Sequence, residues 1–301
     1  NLYKNLEKLE KERVKNLLIE YSEDAKLSKI LVTIKKDLLI NDNIEDFKIS
    51  NPNIDSLNTL FKELEFDSFI EEKETEVSDT QSNYQTILKE EDFKNLLKIL
   101  HKQEYLSLDL ETTSVLAISA KIVGISFSFK PETGYYIPLG HTENIEQLDI
   151  DYVLKNLKPI LENRNIRKIG QNLKYETIIF KNYDINLDGI FFDTMIAAHS
   201  IDSSLQSYSL DNLARRFLDY KMISYKDVTK VDKKSIPFAD VSIDKASTYS
   251  CEDADITLKL YGFLLERLKK YNLLENYLDY EIPFIKVLAD IEFAGVNIDV
   301  K

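Results

Sequence analysis

Hydrophobic and polar positions divide the chain into a helical front and a longer stretch in which helix and strand patterns alternate. Leu6, Leu9, Val14, Leu17, Leu18, Leu27, Ile30 and Leu31 recur at helical spacing in a highly charged background up to about residue 35. Residues 53–56 (NIDS) open a second helical run, Leu57–Phe66, with Asp55 or Ser56 as the expected cap. This front carries no catalytic pattern and has the look of a small helical module that packs on a neighbour. Residues 71–83 (EEKETEVSDTQSN) have almost no apolar positions and no period, which predicts an exposed linker and a domain boundary.

Beyond the linker the period changes. A short strand at Tyr84–Leu88 and an amphipathic helix at Glu91–His101 come first. Residues 105–113 (YLSLDLETT), 121–129 (KIVGISFSF) and 134–139 (GYYIPL) are three β runs, the last two separated by the turn signal KPETG. They predict an antiparallel meander. Then come a helix at Asp151–Glu162, a strand at Ile166–Gly170, a helix at Leu173–Asn182 and a strand at Gly189–Asp193, an alternation that predicts an α/β sheet with helices on its faces. Met195–Ile201 is apolar, Ser209–Leu218 reads as a capped helix, Lys221–Asp240 as a lysine-rich loop, and about Ile243–Tyr271 as one long helix.

Composition narrows the class. A length of 301 residues suggests two domains, or one large domain with extensions. The single cysteine, Cys251, rules out an internal disulfide framework and fits a reducing cytosol. No stretch is long and apolar enough to span a membrane, and no signal-peptide pattern opens the chain. Asn1 at the start, and Lys301 just past an apolar helical pattern, predict a slice of a longer protein. The net charge of −13 argues against a broad nucleic-acid-binding surface. It leaves room for an enzyme that grips a few nucleotides beside metal ions.

Three short constellations carry candidate chemistry. In the first β run, strand alternation puts Leu106, Leu108 and Leu110 on one face and Ser107, Asp109 and Glu111 on the other. Two carboxylates about 7 Å apart on one strand face repel each other. Either the strand end reaches water or a cation sits between them. In residues 168–176 (KIGQNLKYE) a strand ends at Gly170 and a helix starts near Asn172, which places Glu176 in the first helical turn, near the positive end of the dipole. Gln171 and Asn172 could bind a substrate or cap that helix. In residues 249–255 (YSCEDAD) Tyr249 and Asp253 share a helix face, while Glu252 and Asp255 point elsewhere. A solvent-facing acidic patch is the alternative there, and Cys251 is expected to be packed. Arg215 and Arg216 read as a solvated helix face. Lys221, Lys226, Lys230, Lys233 and Lys234 could attract a phosphate backbone.

In this order Asp109-Leu-Glu111, residues 171–176 (QNLKYE) and residues 249–253 (YSCED) resemble the three exonuclease motifs of the 3′–5′ proofreading domain in family A DNA polymerases of the bacterial polymerase I type. The flanking runs IVGISF (122–127), YIPLGH (136–141), FDTM (192–195) and EDADITL (252–258) are similar too, so the resemblance covers about residues 84–271. Residues 281–299 resemble the entry into that family's polymerase domain. The first 70 resemble, more loosely, the end of its 5′-nuclease domain. Implied boundaries are a helical segment at 1–70, a linker at 71–83, the exonuclease domain at 84–275 and the start of the polymerase domain at 276–301. The implied fold is ribonuclease H-like, a DnaQ-like mixed sheet flanked by helices.

The implied activity is removal of mispaired 3′ nucleotides as monophosphates, by a two-metal mechanism. Asp109, Glu111 and Asp253 would ligate one divalent ion, Mg²⁺ or alternatively Mn²⁺. Asp109 and Glu176 would hold the second. Tyr249 would orient the attacking water; Gln171, Asn172 and Tyr175 would face the terminal nucleotide. Tyr225 would contact a frayed 3′ end, and Val115 would stand where the family has a larger wedge. The partners would be DNA with a single-stranded or frayed 3′ end and a covalently attached polymerase domain, in a cytoplasmic monomer. One departure stands out, because the family has Asp where this chain has Glu176. Mg²⁺ demands near-ideal octahedral geometry, so a longer arm could weaken the second site. That leaves a catalytically impaired scaffold that supports the polymerase domain as the competing function, with a freestanding RNA-trimming exonuclease as a third.

Overall fold

The computed structural model describes residues 2–38, 48–49, 51–64, 66, 69, 82–231 and 234–299. It forms two compact units, Asn1–Glu76 and Val77–Lys301. In the first, two 3-10 turns precede α1 (Glu12–Glu20) and α2 (Ser22–Val32), and α3 spans Ile54–Glu63. None of its described residues is buried. The expected cap of α3 is corrected. The Asn53 Oδ1 accepts from the Ser56 N–H at 3.1 Å, so Asn53 caps the helix, and Asp55 and Ser56 lie within its first turn. Residues 71–81 of the expected linker lie outside the described residues.

The second unit is built on a six-stranded sheet: β1 (Asn83–Thr86), β2 (Tyr105–Thr112), β3 (Ile122–Ser128), β4 (Thr133–Pro138), β5 (Arg167–Gly170) and β6 (Ile190–Asp193). Its spatial order is β1-β4-β3-β2-β5-β6. The β2-β3-β4 meander is antiparallel, as its short turns predict. β1 joins its far edge parallel to β4, while β5 and β6 extend the other edge parallel to β2. Strand β2 is thus central.

Alternation along β2 decides what each face meets. Leu106, Leu108 and Leu110 point into a core with Phe93, Leu96 and Leu100 of α4 (Glu90–Leu100). Val153, Leu157 and Ile160 of α5 (Ile150–Leu161) and Ile179 and Phe180 of α6 (Leu173–Lys181) complete it. The opposite face is crossed by one long helix, α10, Ile243–Lys270, which packs against five of the six strands. α7 (Thr194–Ile201) and α8 (Leu210–Leu218) pack on α10.

How closely α10 approaches the sheet is set by Gly134. A Cβ there would lie 2.5 Å from the Cys251 Cβ and 3.0 Å from its backbone. Cys251 is accordingly buried, and burial pushes its thiol up to about 12, as suits a packing residue. Gly134→Ala is expected to lower unfolding stability by about 1–3 kcal/mol, the usual cost of overpacking, read as a lower urea midpoint.

Residues 221–240 are more ordered than a loop. Ser224 caps a short helix, α9 (Tyr225–Thr229), and a small hairpin, β7 (Lys230–Val231) and β8 (Lys234–Ser235), follows. The cause is apolar: Val228 and Phe238 bury into a cluster with Val123, Tyr136 and Cys251. Lys233 lies outside the described residues. After α10, α11 (Leu274–Asn276), a π turn (Tyr277–Glu281) and α12 (Ile282–Ala294) run on as one helix. Pro283 has no N–H to donate, which places the π turn where the regular ladder fails. Among the described residues, no helix is long and apolar enough to cross a membrane.

Candidate active site

The three constellations come from distant parts of the sequence and meet where β2 passes beneath α10. Ligand atoms of Asp109, Glu111 and Asp253 all lie within 4.8 Å of one another. Asp109 is partly exposed, whereas Glu111 and Asp253 are buried. Among the described residues no ion pair reaches any of them or Glu176. Burial, with little to offset it, pushes the Asp109 carboxyl up to about 6. Burial, and then the Asp109 charge, raises Glu111 and Asp253 well above the ordinary range. Glu176 lies outside the 4.8 Å cluster but near enough to feel it, for burial and Asp109 push it up in the same way. It is only 3% exposed, and its Oε2 has no hydrogen-bond partner.

The neighbouring acids on α10 are treated differently. Glu252 accepts from the Tyr220 hydroxyl at 2.8 Å and from the Ile223 N–H at 2.7 Å. Asp255 accepts from the Tyr84 hydroxyl at 3.1 Å and the Glu132 N–H at 2.7 Å, and pairs with Lys259 at 3.0 Å. These two carboxylates stitch α10 to the sheet edge and to the segment after α8. The acidic run on α10 is therefore no solvated patch. It divides into acids whose charge the protein satisfies and one, Asp253, that it aims at two further carboxylates.

Around the cluster, Tyr249 sits one turn before Asp253, with its ring against Tyr225 and Phe238. Burial and the Asp253 charge raise its hydroxyl pKa, so it keeps its proton. Tyr225 is half exposed and stacks on Phe238, and Val115 is 91% exposed in the β2–β3 loop. The Tyr175 hydroxyl donates to the Ser114 carbonyl and is hydrogen-bonded to Thr112. Gln171 has both ends of its amide bonded inside the protein: Nε2 donates to the Tyr208 carbonyl at 2.7 Å, and Oε1 accepts from the Thr194 hydroxyl. Asn172 takes a left-handed backbone, φ 65°, and makes no capping bond.

The cap of α6 comes instead from Asp193, whose place before α7 and in the run FDTM is local but whose reach to α6 no local pattern marks. Its Oδ2 accepts from the Leu173 N–H at 2.7 Å, and its Oδ1 accepts from the Met195 and Ile196 N–H groups at the start of α7. The Tyr277 hydroxyl then fixes the backbone of Asp193, accepting from its N–H at 2.7 Å and donating to its carbonyl at 3.0 Å. Sequence reasoning also missed Ser250, whose hydroxyl donates to the Glu111 Oε1 at 2.8 Å. Its place one residue after Tyr249 gave no hint of that contact.

This mixed sheet, crossed by one helix that carries an acid to the central strand, defines the ribonuclease H-like, DnaQ-type exonuclease fold. Escherichia coli RNase D, an exoribonuclease involved in structured RNA processing, superposes with a TM-score of 0.54 at 18% identity, over 69% of this chain and 51% of that one. The Pol1 POL domain of M. smegmatis, in complex with DNA primer-template and dNTP, superposes with a TM-score of 0.57 at 19% identity, over 71% and 33%. Residues 84–269 match the 3′–5′ exonuclease family of A-type DNA polymerases, and the chain belongs to that family. DNA polymerase I of Pseudomonas aeruginosa is 34% identical over 94% of this chain. The chain spans about a third of the length of the curated relatives it matches.

Proposed function

We propose that this chain is the proofreading 3′–5′ exonuclease region of a cytoplasmic DNA polymerase I, monomeric and continuous with a polymerase domain. The observation that carries the proposal is the partition of acids. Glu252 accepts two protein hydrogen bonds and Asp255 two together with a lysine, whereas Asp109, Glu111 and Asp253 crowd within 4.8 Å of one another beside Glu176, and among the described residues no ion pair reaches any of the four. Buried like charges left in this state are costly unless a cation joins them. The donor set is all oxygen, which suits Mg²⁺ or Mn²⁺, and the unbonded Glu176 Oε2 offers a further ligand atom. Asp109, Glu111 and Asp253 would hold one ion, and Asp109 with Glu176 a second. Bound ions would supply a water of lowered pKa and charge neutralisation at the departing oxygen.

The chain's own groups do the rest. Tyr249, kept protonated, hydrogen-bonds and orients the attacking water. That water gives up a proton to solvent and its oxygen bonds to phosphorus as the bond to the 3′ oxygen breaks; the departing oxygen takes up a proton from solvent, which releases a nucleoside monophosphate and a shortened 3′ hydroxyl end. Tyr225 and Val115, both exposed, and the partly buried Tyr175 would line the approach, where aromatic and apolar groups can stack on or part the last bases of a single-stranded or frayed end. Gln171 and Asn172 shape its floor. The experiment is stepwise shortening of single-stranded DNA labelled at its 5′ end, in Mg²⁺ or Mn²⁺, with an RNA of the same sequence alongside. Shortening of DNA in preference to RNA is expected. Preference for RNA would point to the RNA-trimming alternative.

The position of Glu176 outside the tight cluster favours one second reading, an impaired domain that serves as a scaffold for the polymerase. Glu176→Asp is therefore expected to raise the rate two- to tenfold, the latter being about 1.4 kcal/mol of barrier. Shortening that is absent in the wild-type chain even with Mn²⁺ and appears only in Glu176→Asp would favour the scaffold.

A further inference from the structure

Residues 136–141 (YIPLGH) form a motif whose two ends the cleavage chemistry does not use. Both ends are buried, and they touch. The His141 Nε2 is 2.7 Å from the Tyr136 hydroxyl, and its Nδ1 is 2.9 Å from the Val241 carbonyl oxygen. A carbonyl only accepts, so Nδ1 carries hydrogen. Burial lowers the imidazole pKa and keeps the ring neutral, which leaves Nε2 bare. The Tyr136 hydroxyl must then donate to Nε2, and its one proton is spent there.

The place of that hydroxyl gives the arrangement its meaning. Gly124 is the cross-strand partner of Glu111, and a Cβ on Gly124 would fall 2.1 Å from the Tyr136 hydroxyl oxygen. Partner Cβ atoms across an antiparallel pair stand about 5 Å apart. The tip of Tyr136 therefore fills the space that the side chain flanking Glu111 would occupy, beside Ser250, which donates to the Glu111 Oε1. The Glu111 charge is near enough to act on this phenol, so the direction in which the phenol spends its proton matters to Glu111.

We propose that His141 is a positioning residue that holds the Tyr136 proton away from Glu111, so that this carboxylate accepts only from Ser250 and keeps a lone pair for a cation. The proposal rests on the cation reading given above. Removing the acceptor at position 141 lets the phenol turn to Glu111 and compete with the ion. Removing the phenol as well abolishes that competition.

The test is Mn²⁺ binding to the whole chain, followed by electron paramagnetic resonance of the free ion, with circular dichroism to verify folding. His141→Leu is expected to weaken binding about tenfold, the lower end for a partner behind a metal ligand. Tyr136→Phe should bind as the wild type does, and the double variant Tyr136→Phe/His141→Leu should recover to within about threefold of it. His141→Gln, which keeps an acceptor near the Nε2 position, should also bind normally. A folded double variant as weak as His141→Leu, or a folded His141→Leu with unchanged binding, would overturn the proposal. So would ¹⁵N spectra of the wild-type chain that show hydrogen on His141 Nε2, whether or not the variants fold. A wild-type chain that binds no Mn²⁺ at all would instead sink the cation reading, and this proposal with it.

Discussion

Asp109→Ala should cut 3′-terminal cleavage by on the order of 10³-fold, at least the cost of deleting one preorganised charge-stabilising group, while making the cation-free protein more stable. Both effects have the same origin. Asp109 is the acid whose charge raises Glu111, Asp253 and Glu176 alike. It sits on the central strand with the others around it, so it would be shared by both ions, and no neighbour can replace it. The same centrality makes it the main source of repulsion when no ion is present. Initial rates on 5′-labelled DNA and melting curves in a chelator check the two halves together. A variant that loses activity and also melts earlier would show that Asp109 supports the fold rather than straining it.

In a chelator, stability should fall as pH rises from about 4 through about 6 and above, and a millimolar divalent cation should largely abolish the fall. The sign follows from the direction of the shifts. A carboxyl whose pKa is higher in the folded than in the unfolded chain binds protons more tightly when folded. Its contribution is complete below the unfolded value, near 4, and is lost as pH climbs through the folded one. For Asp109 the displacement from 3.8 to about 6 corresponds to roughly 3 kcal/mol at most. Glu111, Asp253 and Glu176 add in the same direction. Asp188 and Asp202, held low by hydrogen bonds and arginine neighbours, have already ionised below this range, and the group that opposes the trend within it is buried His141, whose pKa burial lowers. Urea midpoints across this range, with and without Mg²⁺, provide the measurement. A chelator series that gains stability with pH would refute the strained-cluster account.

Much of this was legible in the sequence because it depends on period. Alternation along residues 105–113 separates Leu106, Leu108 and Leu110 from Asp109 and Glu111, and the sheet puts a core on one side and α10 on the other. Helical spacing joins Tyr249 to Asp253 and turns Glu252 and Asp255 away. Period reports a face but not what lies opposite. Asp255 meets Tyr84 from 171 positions away, and Asp193 reaches Leu173 across a strand boundary. Such bonds depend on the closed fold, so no local pattern announces them. The order within residues 221–240 was hidden for a related reason, since two apolar side chains, Val228 and Phe238, organise a lysine-rich stretch from beneath.

The long C-terminal helix bears on where this machine can be divided. Tyr277 fixes Asp193, which caps the helix bearing Glu176. Farther along, Lys174 pairs with Glu292, and Lys181 pairs with Asp290 beneath the ring of Phe293. All four of these C-terminal residues lie past 269, where the family match ends. The fourth acid is thus braced from outside the stretch that similarity marks as the exonuclease. A cut at the edge of the match would leave Asp109, Glu111, Glu176 and Asp253 in the chain but remove the brace behind Glu176. A fragment that keeps the brace must therefore run through α12, and whatever pulls on that helix also pulls on Glu176.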